Sequence, residues 1–179
     1  MSIWKAFGFG FITGHRSLMG IAWLARAAKD NRVDVHGSPF SALKRSSVAN
    51  TIAILAGGEV VADKLPGVPD RIQPPVFAAR IGLGALCGAI VGISESEDVP
   101  QYAMLGGVGA VVGTLAGYYG RRYLTTEVGV PDFEVALVED AIAISLGAGL
   151  AHTLRTPAGV YFHRGDEAQI HQEAVYSAV

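Results

Sequence analysis

The strongest constraint on this chain is residues 99–120, where 22 consecutive positions carry no charged side chain. Wound as an α-helix at about 1.5 Å per residue they extend about 33 Å, close to the ~30 Å hydrocarbon thickness of a bilayer. The stretch ends in Tyr118, Tyr119 and Tyr123 beside Arg121 and Arg122. Aromatic rings next to arginines suit a headgroup boundary. Within the stretch Gly109, Gly113 and Gly117 recur every fourth residue, so one helix face is almost bare. In water each such glycine costs a helix about 1 kcal/mol against alanine. In lipid, small residues at this spacing let two backbones approach closely and hold helices together. The reading is a transmembrane helix packed on a neighbour through its glycines. The competing reading, a core helix of a soluble protein, accounts poorly for so long an uncharged run ending in an aromatic and arginine belt.

Composition agrees. Charged residues make up 17% of the chain against a usual ~25%, and 23 of 179 residues are glycine, nearly twice the usual ~7%. A net charge of −2 gives no footprint for nucleic acid. The lone cysteine, Cys87, excludes an internal disulfide and reads as a small buried hydrophobe. The histidines, His15, His36, His152, His163 and His171, show no metal-ligand spacing. GVGAVVG has no lysine after its last glycine and lies in an apolar run, so it is not a phosphate loop. Neither a cofactor nor a metal is expected.

Five hydrophobic segments are expected, an all-α integral membrane bundle over residues 1–156 followed by a polar tail, 157–179. Segment one, about residues 3–28, has His15 and Arg16 in its middle. A charge at the bilayer centre costs at least ~2.5 kcal/mol, so Arg16 must face protein or water, or the segment must be broken near Gly14. Residues 26–45 form a link with five basic residues. Segment two, about 46–65, brings Glu59 and Asp63 onto one helix face. Four prolines between 66 and 75 then form a rigid elbow. Segment three, about 77–93, repeats the glycine spacing at Gly84, Gly88 and Gly92, so segments three and four are expected to zip together as a hairpin. Segment five, about 133–154, carries Glu139 and Asp140.

Orientation is in conflict under simple alternation. If the acidic loop 94–100 lies outside and Arg121 and Arg122 inside, the five-basic link also lies outside, against the positive-inside rule. The conflict points to a first or second segment that does not make a simple crossing.

GHRS near the N-terminus, VADKLPGVPDR, the two glycine repeats ending in AGYYGRR, and VPDFEVALVEDAIAI together resemble a bacterial family of small multi-pass membrane proteins, domain of unknown function 4126. The resemblance spans about residues 9–150. It implies a multi-helix inner-membrane architecture and supplies no activity and no catalytic residue.

The ionisable residues in or beside apolar segments are the candidate site: Arg16, Glu59, Asp63, Glu139 and Asp140. They allow two readings, a buried ion-pair set that fixes helix register in a membrane scaffold, or the lining of an ion or polar-solute pathway. Transport or permeation is the preferred one. A third reading takes Lys64, Arg71, Arg80, Arg121 and Arg122 as contacts for an anion or lipid head group in a membrane-embedded enzyme. No nucleophile motif supports it. The expected partners are the lipid bilayer and a second copy bound through the glycine faces.

Overall fold

The computed structural model describes residues 3–63 and 72–154. Among these the chain is all-helical. Six α-helices follow in order: α1 (Ile3–His15), α2 (Met19–Lys29), α3 (Ser46–Ala62), α4 (Pro74–Ser94), α5 (Val99–Thr126) and α6 (Asp132–Thr153), with a 3-10 helix, Pro39–Lys44, before α3. The expected tail, Lys64, Arg71 and the first two elbow prolines lie outside the described residues.

Local chemistry explains the helix ends. Pro74 and Pro75 open α4, where a missing N–H costs nothing, so the last two elbow prolines are a helix start. Asp98 caps α5 by accepting from the Gln101 amide at 2.8 Å. After α2 the chain turns through Asn31 at φ 56°, with Arg32 N–H donating to the Ala27 carbonyl at 2.8 Å. After α4 it turns through Ser96 at φ 55°, with Glu97 N–H donating to Gly92 at 2.9 Å. Both are left-handed helix stops of the kind usually given to glycine.

Three helices form the centre. α4 runs antiparallel to α5, as a hairpin. A β-carbon on Gly84, Gly88 or Gly92 would run into Gly106 and Ala110, Tyr102, or Tyr102 and Val99, respectively. α1 runs parallel to α5 on another face. There a β-carbon on Gly109 or Gly113 would strike the Phe7 or Phe11 carbonyl, and Gly10 sits against Gly106. This corrects the expected pairing of the two glycine repeats. The Gly84–Gly92 repeat meets α5 through Tyr102, Gly106 and Ala110, whereas Gly109 and Gly113 belong to α1; Gly117 is buried further along α5. Two neighbours need two bare faces on α5, and the Gly106-Gly107 pair supplies part of the second.

Segment one is not one helix. α1 ends at His15 and α2 begins at Met19. A β-carbon on Gly20 would lie 2.9 Å from the Phe9 carbonyl oxygen, so α2 folds back beside α1. Asp34 N–H donates to Ser94 Oγ at 3.0 Å, and Lys5 pairs with Glu95 at 2.6 Å. The start of α1, the link after α2 and the α4–α5 turn therefore share one end of the bundle. The α1–α2 turn lies deep inside it, at the level of Thr114, about 23 Å along α5 from Val99.

α4 and α5 are long and apolar enough to cross a membrane. α6 matches them in length but carries Asp132, Glu134, Glu139 and Asp140, while α3 has 17 residues and α1 and α2 only 13 and 11. The described helices thus differ from five equivalent crossings. The core gathers Phe9, Ile12, Leu24, Cys87, Ile90 and Tyr102 between α1, α2, α4 and α5.

Candidate functional site: a charged centre at the helix break

The break between α1 and α2 exposes two sets of backbone groups. The last carbonyls of α1 have no partner in their own helix, nor do the amides of the turn that leads into α2. Deep in an apolar bundle each needs a partner from elsewhere. Arg80 of α4 answers the first need. Its Nη1 donates to the Gly14 carbonyl at 2.6 Å and to the His15 carbonyl at 3.1 Å, and Thr114 Oγ1 of α5 donates to Gly14 at 3.1 Å. Glu59 of α3 answers the second. One carboxylate oxygen accepts from Ser17 N–H at 2.7 Å and the other from Leu18 N–H at 2.8 Å. The α2 N-cap residue is Leu18, which cannot cap itself, so a carboxylate from another helix takes that role and also meets the positive end of the helix dipole.

Arg16 lies in the turn itself and is 1% exposed. Its Nη1 is hydrogen-bonded to Asp63 at the C-cap of α3, and its Nη2 lies 2.6 Å from Asp140 Oδ1 of α6. Arg80 and Asp140 are buried as well. Five helices and the turn therefore meet at one centre: carbonyls from α1, the Ser17 and Leu18 amides from the turn, Glu59 and Asp63 from α3 and its C-cap, Arg80 from α4, Thr114 from α5 and Asp140 from α6.

A second charge site joins α5 to α6. Arg121 Nε and Nη2 hold Asp132 in a two-pronged pair at 2.7 and 2.6 Å, and Arg121 Nη1 lies 3.7 Å from Glu139. Glu139 and Asp140 thus serve different arginines, as neighbours pointing apart on a helix must.

The structure brings Arg16, Glu59, Asp63 and Asp140 together and leaves Glu139 at the Arg121 site. Asp63, at the C-cap of α3, belongs to the centre. Arg80 and Arg121, expected to meet an anion or head group, are bound to groups of the protein itself, and Arg122 is exposed. Two of the five basic residues on which a lipid-head-group enzyme would stand are thus occupied, while Lys64 and Arg71 lie outside the described residues. Arg80 as a helix-end donor, Thr114 and the Ser17 and Leu18 amides were not anticipated. Arg16, the arginine of GHRS in an otherwise apolar run, was the available signal for the break, but nothing local points to Glu59, which is 42 residues from Ser17.

Compared with known proteins, the chain matches no family model, no curated protein and no solved structure.

Proposed function

We propose that this is a multi-pass integral membrane protein that moves an ion or small polar solute through the charged centre at the α1–α2 break. The observation that carries the reading is a helix interrupted deep in an apolar bundle, with its broken ends facing arginines and carboxylates. Membrane-buried charges are costly and mark solute routes. Interrupted helices whose ends point into a site are the usual way membrane transporters bind polar cargo.

The membrane reading is supported by the outward faces. Met104, Val108 and Val112 on α5, Leu137, Val138 and Ile142 on α6, and Ile54, Leu55 and Val61 on α3 are all exposed. Apolar surface of that extent calls for lipid or a partner. The basic residues orient the bundle. Among the described residues, Lys5, Arg26, Lys29, Arg32, Lys44 and Arg45 gather at the end holding the start of α1, against Arg121 and Arg122 at the other end. Lysine and arginine, rather than acids, set topology, so the end bearing the acidic loop faces the cytoplasm, opposite to the orientation the acidic loop alone suggests.

Among the described residues the centre holds three carboxylates, Glu59, Asp63 and Asp140, against two guanidiniums, Arg16 and Arg80. That imbalance favours a proton or cation as cargo. Arg16 Nε finds no acceptor among the described residues and offers a donor to a polar solute. The pairing around Arg16 makes this arrangement an occluded one, which must open for passage.

The second reading is a non-catalytic membrane scaffold. It is favoured by the same pairing, since each carboxylate of the centre already has a structural partner. The two readings separate in proteoliposomes loaded with pH- and cation-sensitive dyes. A pathway gives a saturable proton or cation flux that Asp140→Asn lowers at least about tenfold, the loss expected when a buried charge of a relay is removed. Folded wild-type protein without flux leaves the scaffold.

A further inference from the structure

We propose that the cavity between α2, α3 and α6 is a binding site for an anionic phospholipid. The inference rests on the membrane reading and is independent of the pathway. The cavity holds about 620 Å³, within the ~300–1,000 Å³ range of small-molecule sites. Its body is apolar. Trp23, Val60 and Ile144 wall it, and Ala53 and Ala148 keep it open by having almost no side chain. Its mouth is polar and on balance cationic, with Arg26, Arg32 and His152 beside Asn50 and one carboxylate, Asp30. An apolar chamber with a cationic mouth matches a molecule with an acyl chain and a phosphate.

The charge at the mouth is available. Arg32 Nη1 lies 3.3 Å from His152 Nδ1, and no carboxylate pairs with Arg32 among the described residues. Arg26 reaches Asp30 at 3.5 Å, but both side chains are well exposed, 62% and 39%, and such a pair on one helix surface is weak. A phosphate between two guanidiniums takes stronger, two-pronged hydrogen bonds. Position agrees as well. The mouth lies at the lysine- and arginine-rich end of the bundle, where the Arg26–Arg45 link and the α6 terminus meet. By the positive-inside rule that end meets the cytoplasmic leaflet, whose surface potential is negative, and basic pockets between helices on that side hold anionic head groups. A second groove, between α1 and α6, is lined by Trp4, Phe7 and Leu146 and has no charged residue to choose a head group.

The test uses the full chain incorporated into vesicles of equal phosphatidylglycerol and phosphatidylcholine, then extracted in mild detergent and weighed intact with its bound lipid. Wild type should retain phosphatidylglycerol over phosphatidylcholine by about tenfold, because both carry a phosphate but only the first has a net negative charge for two guanidiniums to attract. R26Q together with R32Q, both partly or well exposed and so compatible with folding, should keep a bound lipid and lose that preference. Ala148→Phe, which fills the chamber, should lose the lipid altogether. Wild type that retains no lipid, or retains both lipids equally, overturns the proposal, as does a double variant with undiminished preference. Alkaline extraction of native membranes is run alongside. A chain that washes off defeats the membrane reading itself, whereas a chain that stays but shows no lipid preference defeats this inference alone.

Discussion

Gly20 packs against Phe9: a β-carbon on the glycine would lie 2.9 Å from the phenylalanine carbonyl oxygen. In one continuous helix those residues would be about 16 Å apart. The contact therefore requires the chain to reverse between them, and the reversal creates the helix ends that the charged centre serves. The order of causes runs from a small residue, to a hairpin, to orphaned backbone groups, to the side chains that answer them.

Arg16 should be the most sensitive residue of the centre. Removing it breaks the pairs with half-buried Asp63 and buried Asp140, and breaking a buried pair in this way costs about 3–5 kcal/mol. Arg16→Ala is expected to lower the thermal midpoint in detergent sharply. Asp140→Asn should cost less in the Arg16→Ala background than in wild type, because the partner is already gone. A double-mutant cycle by thermal unfolding measures that coupling, and simple additivity of the two changes would deny that the pair interacts.

Glu59 is predicted to hold the start of α2. Glu59→Ala takes the acceptor from the part-buried Ser17 and Leu18 amides, at about 1–3 kcal/mol. Glu59→Gln keeps one acceptor oxygen and should be intermediate. Amide hydrogen exchange at residues 17 and 18 reads this directly. Protection should fall in the order wild type, glutamine, alanine, and unchanged protection in the alanine variant would remove Glu59 from this role.

The glycines should sort by what surrounds them rather than by their spacing. Gly88→Ala drives a methyl group into the Tyr102 carbonyl, and Gly109→Leu drives a side chain into α1 at Phe7. Neither neighbour is a flexible side chain, so both substitutions should disrupt helix packing, with losses of about 1–3 kcal/mol or more. Gly120 has nothing within 4 Å of its β-position, so Gly120→Ala should cost nothing and can gain up to about 1 kcal/mol of helix propensity. Thermal midpoints of the three variants check the order. Equal tolerance of Gly109→Leu and Gly120→Ala would contradict the close approach of α1 to α5.

The sequence showed some of this plainly and hid the rest for physical reasons. The uncharged runs of α4 and α5 announce long apolar helices because a single charge in lipid is so costly. Arg16 announced a problem in segment one for the same reason, and the problem proved to be a break. Glycine spacing told that backbones meet, but not which ones, since a bare face is complementary to any other bare face. Hence Gly109 and Gly113 were matched with α4 when they pack on α1. Glu59 and Arg80 were visible as charges, yet their roles were not, because they bind backbone groups of a distant turn and leave no pattern of side chains to read.

The most direct test of the account is the side of the membrane on which each end of segment one emerges. The native cysteine, Cys87, is fully buried, so an added thiol can be labelled almost alone. Trp4→Cys and His36→Cys, both at exposed positions, are probed in sealed vesicles with a membrane-impermeant maleimide and mark the start of α1 and the link after α2. Both thiols should react from the cytoplasmic face, together with a thiol at Glu97, while one at Val128 reacts from the opposite face. Labelling of residues 4 and 36 from opposite faces would make segment one a single crossing and contradict the re-entrant pair on which the charged centre depends.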